Sequence, residues 1–355
     1  MTLDEVFMKR AFDLSLLGSG SVSPNPLVGA VIVKDGKIIS EGYHAVYGGD
    51  HAELDAIKKA DVSLEGATLY CTLEPCCHTN KQTPPCAQRI VKEKFKRVVI
   101  ANLDPNPHVN GGGVKILKDA GIEVESGVLA NLGEEINEAF FTAQRLKRPY
   151  IHLKLAATLD GKISMPNGES QWITSEASRH YVHELRRAHS AILVGAETAR
   201  LDNPTLTVRL PDFKGRQPWR LILTKSGNLS ETLKIFTDEH KDRSLILTKT
   251  KISFLSDEQQ ILFTDLNDLM EKLLTKKIAS IFVEGGPQVA TLLLKENLVD
   301  RLSYFINPSF LGSGKSALHD LGVQTLASRP RLVETTMKSF DNDIYLTGKI
   351  VCSQD

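Results

Sequence analysis

The sequence predicts a soluble α/β protein built from two domains, and three observations lead to this prediction. The chain has 355 residues, enough for two domains of ordinary size that each bury a workable core. Apolar runs typical of strands alternate with amphipathic runs typical of helices in both halves. Between the halves, Pro149 disfavours helix at the residue before it and follows a predicted closing helix, 132–146. We therefore expect an N-terminal domain over 1–147 and a C-terminal domain over 150–355.

The N-terminal half is predicted to begin with a helix and then to alternate between strands and helices. The expected order is a helix over 4–17, a strand over 27–33, a strand from Ile38, a helix over 51–60, a strand over 68–72, a helix over 86–94 and a strand over 97–101. The polar segment 102–110 contains prolines and is suited to line the rim of a pocket. We expect Gly111-Gly112-Gly113 to be a flexible turn without a phosphate-binding role, because the dinucleotide fingerprint is missing.

The C-terminal half shows the same alternation. The expected elements are a strand over 151–157, a turn at Asp160-Gly161, a capped helix over 175–188, strands over 191–195, 220–224, 244–248 and 280–284, and a helix over 288–296. The last of these strands runs directly into Gly285-Gly286-Pro287. A strand that ends in glycines before a helix N-terminus offers a binding site for an anion.

Charge and composition point to a small partner. Lys plus Arg and Asp plus Glu both total 43, so no basic excess indicates nucleic acid or an anionic membrane. No run of 18 apolar residues exists, and the first residues are acidic where a signal peptide is basic and apolar, so we expect a cytoplasmic protein. Four of the five cysteines lie within 71–86, which is typical of a metal site in a reducing compartment. We interpret Cys71 and Cys352 as structural.

The cysteine cluster and one upstream motif predict a catalytic zinc site. His51-Ala52-Glu53 precedes Pro75-Cys76 and Cys86. A catalytic zinc keeps three protein ligands and leaves its fourth position for water, whose pKa falls to about 7 on the metal. A glutamate two residues after the ligand histidine moves protons in zinc nucleobase deaminases. We therefore predict His51, Cys76 and Cys86 as ligands and Glu53 as the proton-transferring residue.

Alternatives to this ligand set stay open on the sequence alone. A nucleobase deaminase usually carries P-C-x-x-C, but Thr79 stands where the second cysteine would be. Cys77 is too close to Cys76 to be its natural tetrahedral partner, so we favour Cys86, across a loop that prolines stiffen. The other interpretations are a closed site that includes Cys77, or buried thiols without metal. We place Cys76 at a helix start, and we place His51 and Glu53 at a first helical turn, where both can face one pocket.

The longer motif resembles the deaminase half of the bifunctional riboflavin-biosynthesis deaminase/reductase family. The resemblance is carried by Pro24-Asn25-Pro26, His51-Ala52-Glu53, Leu73-Glu74-Pro75-Cys76, His78, Lys81 and Thr83-Pro84-Pro85-Cys86. Two departures are Cys77, where the family usually has serine, and a loop to Cys86 that is one residue longer. The resemblance implies a cytidine-deaminase-like three-layer α/β/α domain. It further implies that four residues contact the deaminase substrate: Asn25, His44, His78 and Lys81.

The second half resembles the reductase half of the same family, which implies a dihydrofolate-reductase-like α/β domain that uses NADPH. The matching blocks are 153–161, 168–174, 202–209 and 283–287. By this resemblance the NADPH contacts are Ala156, Trp172, Thr198, Asp202, Gly286, Pro287 and Gln288. The implied substrate contacts are Lys154, Ser170, Arg186, Leu206, Arg209 and Glu284. Of the two arginines, both suited to a ribose phosphate, we favour Arg209.

Together the two resemblances imply one bifunctional enzyme with zinc and NADPH as cofactors. It would remove the 2-amino group of 2,5-diamino-6-ribosylamino-4(3H)-pyrimidinone 5′-phosphate and then reduce the ribosyl to a ribityl chain. We expect a homo-oligomer with a small phosphorylated substrate and without nucleic acid or membrane partners. Two alternative functions stay open. One is a nucleic-acid deaminase, which would require a compact P-C-x-x-C loop and a basic face. The other is a deaminase whose second half only binds ligand or builds the oligomer.

Overall fold

The computed structural model describes residues 1–77, 85–106 and 109–351 of the chain. These residues form two compact units, Met1–Lys147 and Arg148–Asp355. Each unit has its own sheet and its own buried core. Within the described ranges, every helix is too short or too polar to cross a lipid bilayer.

The first unit contains a mixed sheet of five strands with the order β2-β1-β3-β4-β5. Its strands are β1 (Gly29–Lys34), β2 (Lys37–Tyr43), β3 (Thr68–Leu73), β4 (Arg97–Asn102) and β5 (Glu123–Ser126). Its α-helices are α1 (Leu3–Ser15), α2 (Ala52–Lys59), α3 (Cys86–Lys92), α4 (Gly112–Asp119), α5 (Ala130–Ile136) and α6 (Glu138–Leu146). Strand β1 pairs antiparallel with β2 and β3, whereas β3, β4 and β5 run parallel.

Alternation along β1 explains why this sheet is covered on both faces. Ala30 and Ile32 point to one face and pack with residues of α2, α3 and α4. Val31 and Val33 point to the other face and pack with α1 and with partly buried residues of α5. All four side chains are at most 7 % exposed. The result is an α/β/α arrangement of three layers, which confirms the predicted fold class.

The predicted closing helix over 132–146 is wrong as a single element. The structure has two helices there, α5 and α6, and Asn137 separates them with φ −111° and ψ 26°. The buried Asn137 side chain accepts the N–H of Leu27 at 2.8 Å and donates to the Leu27 carbonyl at 3.0 Å. The amide satisfies both backbone groups of a residue 110 positions earlier, and helical periodicity gives no sign of such a bond.

The second unit contains a sheet of nine strands with the order β11-β10-β9-β8-β12-β6-β13-β16-β15, together with a separate pair, β14-β7. The strands are β6 (Tyr150–Thr158), β7 (Lys162–Ser164), β8 (Ala191–Gly195), β9 (Trp219–Thr224), β10 (Ser244–Thr248), β11 (Gln260–Leu262), β12 (Ser280–Val283), β13 (Arg301–Asn307), β14 (Lys315–Ser316), β15 (Arg331–Phe340) and β16 (Asp343–Val351). The α-helices are α7 (Glu176–Arg187), α8 (Ala196–Asp202), α9 (Lys234–Thr237), α10 (Leu266–Thr275) and α11 (Pro287–Lys295).

Seven strands of this sheet, from β11 to β13 in the sheet order, run parallel, so their carboxyl ends meet at one edge. Helices α10 and α11 pack on one face of the sheet. Residues of α7, α8 and α9 pack on the other face. Ligands of open α/β sheets bind outside the carboxyl ends of the strands, so this edge is where a site is expected.

Candidate active sites

Three predicted zinc ligands meet in the first unit, each at the end of an element. His51 is the N-cap residue of α2 and Cys86 is the first residue of α3. Cys76 follows β3 by three residues. The Sγ atoms of Cys76 and Cys86 both lie 3.4 Å from Nδ1 of His51. Among the described residues, one group of three or more His, Cys, Asp or Glu side chains has all its ligand atoms within 4.8 Å of one another, and it consists of His51, Cys76 and Cys86.

These distances fit a zinc ion. Zn–S bonds of about 2.3 Å and Zn–N bonds of about 2.0 Å at tetrahedral angles place sulfur and nitrogen about 3.5 Å apart. One imidazole and two thiolates are zinc donors, and three donors leave the fourth position for water. Cys77 is partly exposed, and its Sγ lies 3.8 Å from the carbonyl of Val109.

The prediction that Cys76 lies at a helix start is wrong. The segment 74–77 is irregular, and the helix begins at Cys86 instead. The Cys86 N–H donates to Cys76 Sγ at 3.3 Å, and the Ala87 N–H donates to the Cys76 carbonyl at 3.2 Å. A helix N-terminus therefore still stabilises the Cys76 thiolate, but Cys76 is not part of that helix. The helix is α3, which begins at Cys86.

Glu53 lies in the first turn of α2. Its side chain is only 3 % exposed and lines the same cavity as His51 and Cys76. Because the helix begins between His51 and Glu53, the two side chains can face one pocket although they are two residues apart. Burial, with the nearby Glu53 carboxylate adding to it, raises the pKa of the Cys71 thiol well above its usual range. Cys71 is therefore a neutral buried neighbour of Glu53.

A cavity of about 480 Å³ opens in front of this group, and the predicted contacts Asn25 and His44 line it. His44 Nδ1 lies 2.8 Å from the Asp50 carbonyl, which can only accept, so Nδ1 carries the proton. The other ring nitrogen then accepts from Asn25 Nδ2 at 3.1 Å. Burial, opposed by the bond to Asp50, lowers the pKa of His44, so the ring is neutral near pH 7. The other two predicted contacts, His78 and Lys81, lie outside the described residues, as does Cys352.

Four residues that the motif reasoning missed line the same cavity. Asp104 and Asn106 come from the polar segment after β4, and Phe140 and Gln144 come from α6. Burial, with Glu74 and Cys76 adding to it, raises the pKa of Asp104 to about 6. The composition of 102–110 did predict a pocket rim, but no pattern in α6 distinguishes its cavity-lining residues from core.

The three glycines at 111–113 are not a loose turn. Gly111 adopts φ +75° as the N-cap residue of α4. A Cβ atom on Gly113 would lie 2.0 Å from the Pro75 carbonyl oxygen, and one on Gly112 would lie 2.7 Å from Cys77 Sγ. The glycines let the start of α4 pack directly against the ligand-bearing segment.

The second unit holds a larger cavity, about 820 Å³, at the carboxyl ends of the parallel strands. Of the predicted NADPH contacts, Thr198, Gly286, Pro287 and Gln288 line it, and Ala156, Trp172 and Asp202 do not. Gly286 is the N-cap residue of α11, and a Cβ there would lie 3.4 Å from Thr198 Oγ1. The open helix N-terminus beside this cavity suits the phosphates of a dinucleotide. Trp172 is 69 % exposed, so it is not a core residue.

Three of the predicted substrate contacts form one buried charged cluster. Arg186 donates to Glu284 at 2.5 and 3.0 Å and to the Thr207 carbonyl at 2.8 Å. The Arg186 and Glu284 side chains are each 11 % exposed. Burial alone would raise the pKa of Glu284, but Arg186 and Lys154 hold it below its usual range. Burial lowers the pKa of Lys154.

Arg209 lies next to this cluster without an acidic partner among its described hydrogen bonds. Its guanidinium donates to Thr205 Oγ1 at 3.1 Å, and its backbone N–H donates to Nδ1 of His183 at 3.2 Å. Burial and the neighbouring arginines lower the pKa of His183 to about 4, so this ring is neutral and holds the Arg209 backbone. Because Arg186 is engaged by Glu284, the geometry favours Arg209 for a phosphate.

The two remaining predicted contacts lie elsewhere. Leu206 is buried, with φ +51°, in the core beside α8. Ser170 is partly exposed in the irregular segment before α7. None of the six predicted substrate contacts, these two included, is among the residues that line the cavity of about 820 Å³.

Both halves of the chain match known protein families. Residues 1–102 match the family described as "Cytidine and deoxycytidylate deaminase zinc-binding region". Residues 149–346 match the family described as "RibD C-terminal domain".

Relatives match over nearly the whole chain. "Riboflavin biosynthesis protein RibD" from Aquifex aeolicus is 41 % identical over 98 % of both chains, and its counterpart from Bacillus amyloliquefaciens is 40 % identical over 98 % of this chain and 96 % of the other. The solved structure of Acinetobacter baumannii RibD is 36 % identical over 98 % of this chain and 99 % of the other, with a TM-score of 0.91. A Thermotoga maritima structure, titled diaminohydroxyphosphoribosylaminopyrimidine deaminase/5-amino-6-(5-phosphoribosylamino)uracil reductase, is 39 % identical over 98 % of both chains, with a TM-score of 0.88.

Proposed function

Because the chain belongs to the RibD family of bifunctional riboflavin-biosynthesis enzymes, we propose that it deaminates 2,5-diamino-6-ribosylamino-4(3H)-pyrimidinone 5′-phosphate and then reduces the product. The enzyme is a hydrolase and an oxidoreductase, and its cofactors are zinc and NADPH. In our proposal residues 1–147 carry the deamination and residues 150–355 carry the reduction. The observation that carries the proposal is the convergence of His51, Cys76 and Cys86 beside the buried Glu53.

For the deamination, His51, Cys76 and Cys86 would hold the metal. Zinc supplies the Lewis acidity that activates water at neutral pH. Glu53 takes a proton from the attacking water and delivers protons to the ring and the departing amine, so that ammonia leaves. Asn25, which the neutral His44 holds in place, and the rim residues Asp104 and Asn106 provide hydrogen bonds that orient the pyrimidine.

For the reduction, the open edge of the second sheet would hold the dinucleotide, with its phosphates at the start of α11. When bound there, NADPH would supply the hydride that reduces C1′ of the ribosyl group. The bond from C1′ to the ring oxygen breaks, so that oxygen must gain a proton. Lys154, whose pKa burial lowers, is the donor we propose. Arg209 binds the phosphate and sets the position of the sugar.

The test is to incubate the purified enzyme with the diamino phosphate in two tubes, with and without NADPH, and to follow both products. We expect the deaminated pyrimidine alone in the tube without NADPH and the ribityl product in the other. Absence of the deaminated product from both tubes would overturn the proposed deamination. Deamination without NADPH oxidation would leave a deaminase whose second half only binds ligand.

The ligand choice can be tested by zinc analysis of two serine variants. We expect Cys86→Ser to lose zinc and deaminase activity, because it removes one of three donors. The matched variant Cys77→Ser should keep both, since its side chain is outside the converging group. Zinc loss from Cys77→Ser but not from Cys86→Ser would show that the metal uses Cys77 in place of Cys86.

We further propose a homo-oligomer in a reducing, cytoplasmic setting. Cys76 and Cys86 must stay reduced to act as thiolate ligands of a metal, and a reducing compartment keeps them so. Sedimentation velocity of the purified enzyme would give the oligomeric state, and a single monomeric species would contradict this part of the proposal.

A further inference from the structure

Glu74 is a buried carboxylate that the proposed reaction leaves without a role. Its side chain is 3 % exposed. Oε1 accepts the backbone N–H of Val114 at 3.1 Å, and Oε2 accepts those of Asp104 at 3.3 Å and Gly111 at 3.0 Å. Three backbone N–H groups donate to this one carboxylate, and hydrogen bonds to an ionised acceptor are stronger than neutral ones.

These bonds join two segments that belong to different parts of the site. Glu74 stands two residues before the ligand Cys76, whereas its three donors lie on the rim segment after β4 and at the start of α4. The Gly113 backbone packs so closely on Pro75 that a Cβ atom would lie 2.0 Å from the Pro75 carbonyl oxygen. The packing leaves no room for a side chain at position 113, and the Glu74 carboxylate accepts backbone N–H groups on either side of this contact.

A chain of hydrogen bonds links Glu74 to residues that line the cavity. Glu74 holds the backbone of Asp104, and the Asp104 Oδ1 atom accepts the N–H of Asn106 at 2.9 Å. Glu74, Cys76, Asp104 and Asn106 all line the cavity that contains Glu53, and the Glu74 carboxylate is turned to the three backbone N–H groups. A shift of the rim would therefore change where the pyrimidine sits relative to the ligands while leaving the ligands in place.

We infer that Glu74 is a positioning residue that holds the Asp104–Asn106 rim at its distance from Cys76, and so sets how tightly the deaminase site binds its pyrimidine. This inference rests on the proposed deamination. The two claims can be tested separately, because the wild-type enzyme shows whether deamination occurs and a Glu74 variant shows whether Glu74 positions the rim.

The experiment compares Glu74→Gln with wild type in the full-length zinc enzyme. Glutamine keeps the size of the side chain but turns one oxygen into an NH₂ group, which faces backbone donors and cannot accept from them. We expect KM for the diamino substrate to rise about tenfold while kcat stays within about threefold. Zinc content should equal that of wild type, and reduction of the deaminated product by the same preparation should be unchanged.

A double-mutant cycle with Asp104→Ala, which removes the Oδ1 acceptor of the Asn106 N–H, tests the route of the effect. If Glu74 acts through the rim, Glu74→Gln in the Asp104→Ala background should raise KM by less than about twofold. An equal rise in both backgrounds would overturn the inference. An unchanged KM in Glu74→Gln would overturn it as well, and so would loss of zinc, because either result gives Glu74 a role other than positioning the rim.

Two further variants control for stability. Asp4→Asn removes another carboxylate of the first unit, one that accepts from Arg97 and Tyr70 and does not line the cavity. It should lower the melting temperature without changing KM. If Glu74→Gln does not fold, Glu74→Asp keeps the charge on a shorter side chain, and we expect a smaller rise in KM at wild-type kcat. A wild-type KM in Glu74→Asp would then count against the inference.

Discussion

Replacing Glu53 with glutamine is expected to lower kcat for deamination by about 10²- to 10⁴-fold, the range that a positioned general acid and base contributes. Glutamine has the same size but cannot carry the proton from water to the ring and the amine. Because Glu53 is not one of the three converging donors, zinc content should stay at the wild-type value. Reduction of the deaminated product should also be unchanged.

Asp55→Asn is the matched control for this variant. Asp55 also lies in α2, but it accepts the Tyr43 N–H at 3.1 Å, pairs with Lys59 and does not line the cavity. The control should deaminate at a rate close to that of wild type. Deamination by Glu53→Gln at the rate of the Asp55→Asn control would exclude Glu53 as the proton carrier.

Glu284→Gln is expected to lower the free energy of unfolding of the second unit by about 3–5 kcal/mol, the cost of breaking a buried ion pair from one side. The variant leaves the Arg186 guanidinium and the Lys154 ammonium without their common partner. Asp257→Asn is the matched control, because Asp257 pairs with Lys251 where the side chains are 81 % and 60 % exposed. Loss of such an exposed pair costs about 0–1 kcal/mol.

Both tryptophans of the chain, Trp172 and Trp219, lie in the second unit, so their fluorescence during urea denaturation reports on that unit. A wild-type midpoint for Glu284→Gln would show that the ion pair contributes nothing to stability.

The same pair predicts how the stability of the second unit depends on pH. Arg186 lowers the folded-state pKa of Glu284, so its contribution is present above the unfolded-state pKa, about 4.3, and is lost as pH falls through the lower folded-state value. The difference in stability between wild type and Glu284→Gln should therefore shrink below about pH 4. A difference that stays constant down to that range would contradict the assignment.

The catalytic group of the first unit could be chosen from the sequence because each member carries its own local pattern. His51 and Glu53 stand at a helix start, and Cys76 and Cys86 follow prolines. The structure brings the side chains of His51, Cys76 and Cys86 together at the expected spacing, and their binding of zinc stays a prediction that the serine variants test.

Residues that act through long-range backbone contacts could not be chosen in this way. Glu74 accepts from amides 30 to 40 positions later, and no periodicity in the chain records such a bond. The ion pair between Arg186 and Glu284, which stands 98 positions later, could not be predicted for the same reason. Strand β15 was not predicted, because most of its residues are exposed and its sequence does not alternate between apolar and polar residues.

The sheet order of the second unit has a consequence for how a growing chain reaches its native state. Strand β12 lies between β6 and β8, and it pairs with both, although it follows β9, β10 and β11 in the chain. While the ribosome extends the polypeptide, β6 and β8 therefore present unpaired edges until Val283 has emerged. Such edges are templates for pairing with other chains. Nascent chains that stall before residue 280 are therefore expected to aggregate more readily than chains in which β12 has emerged.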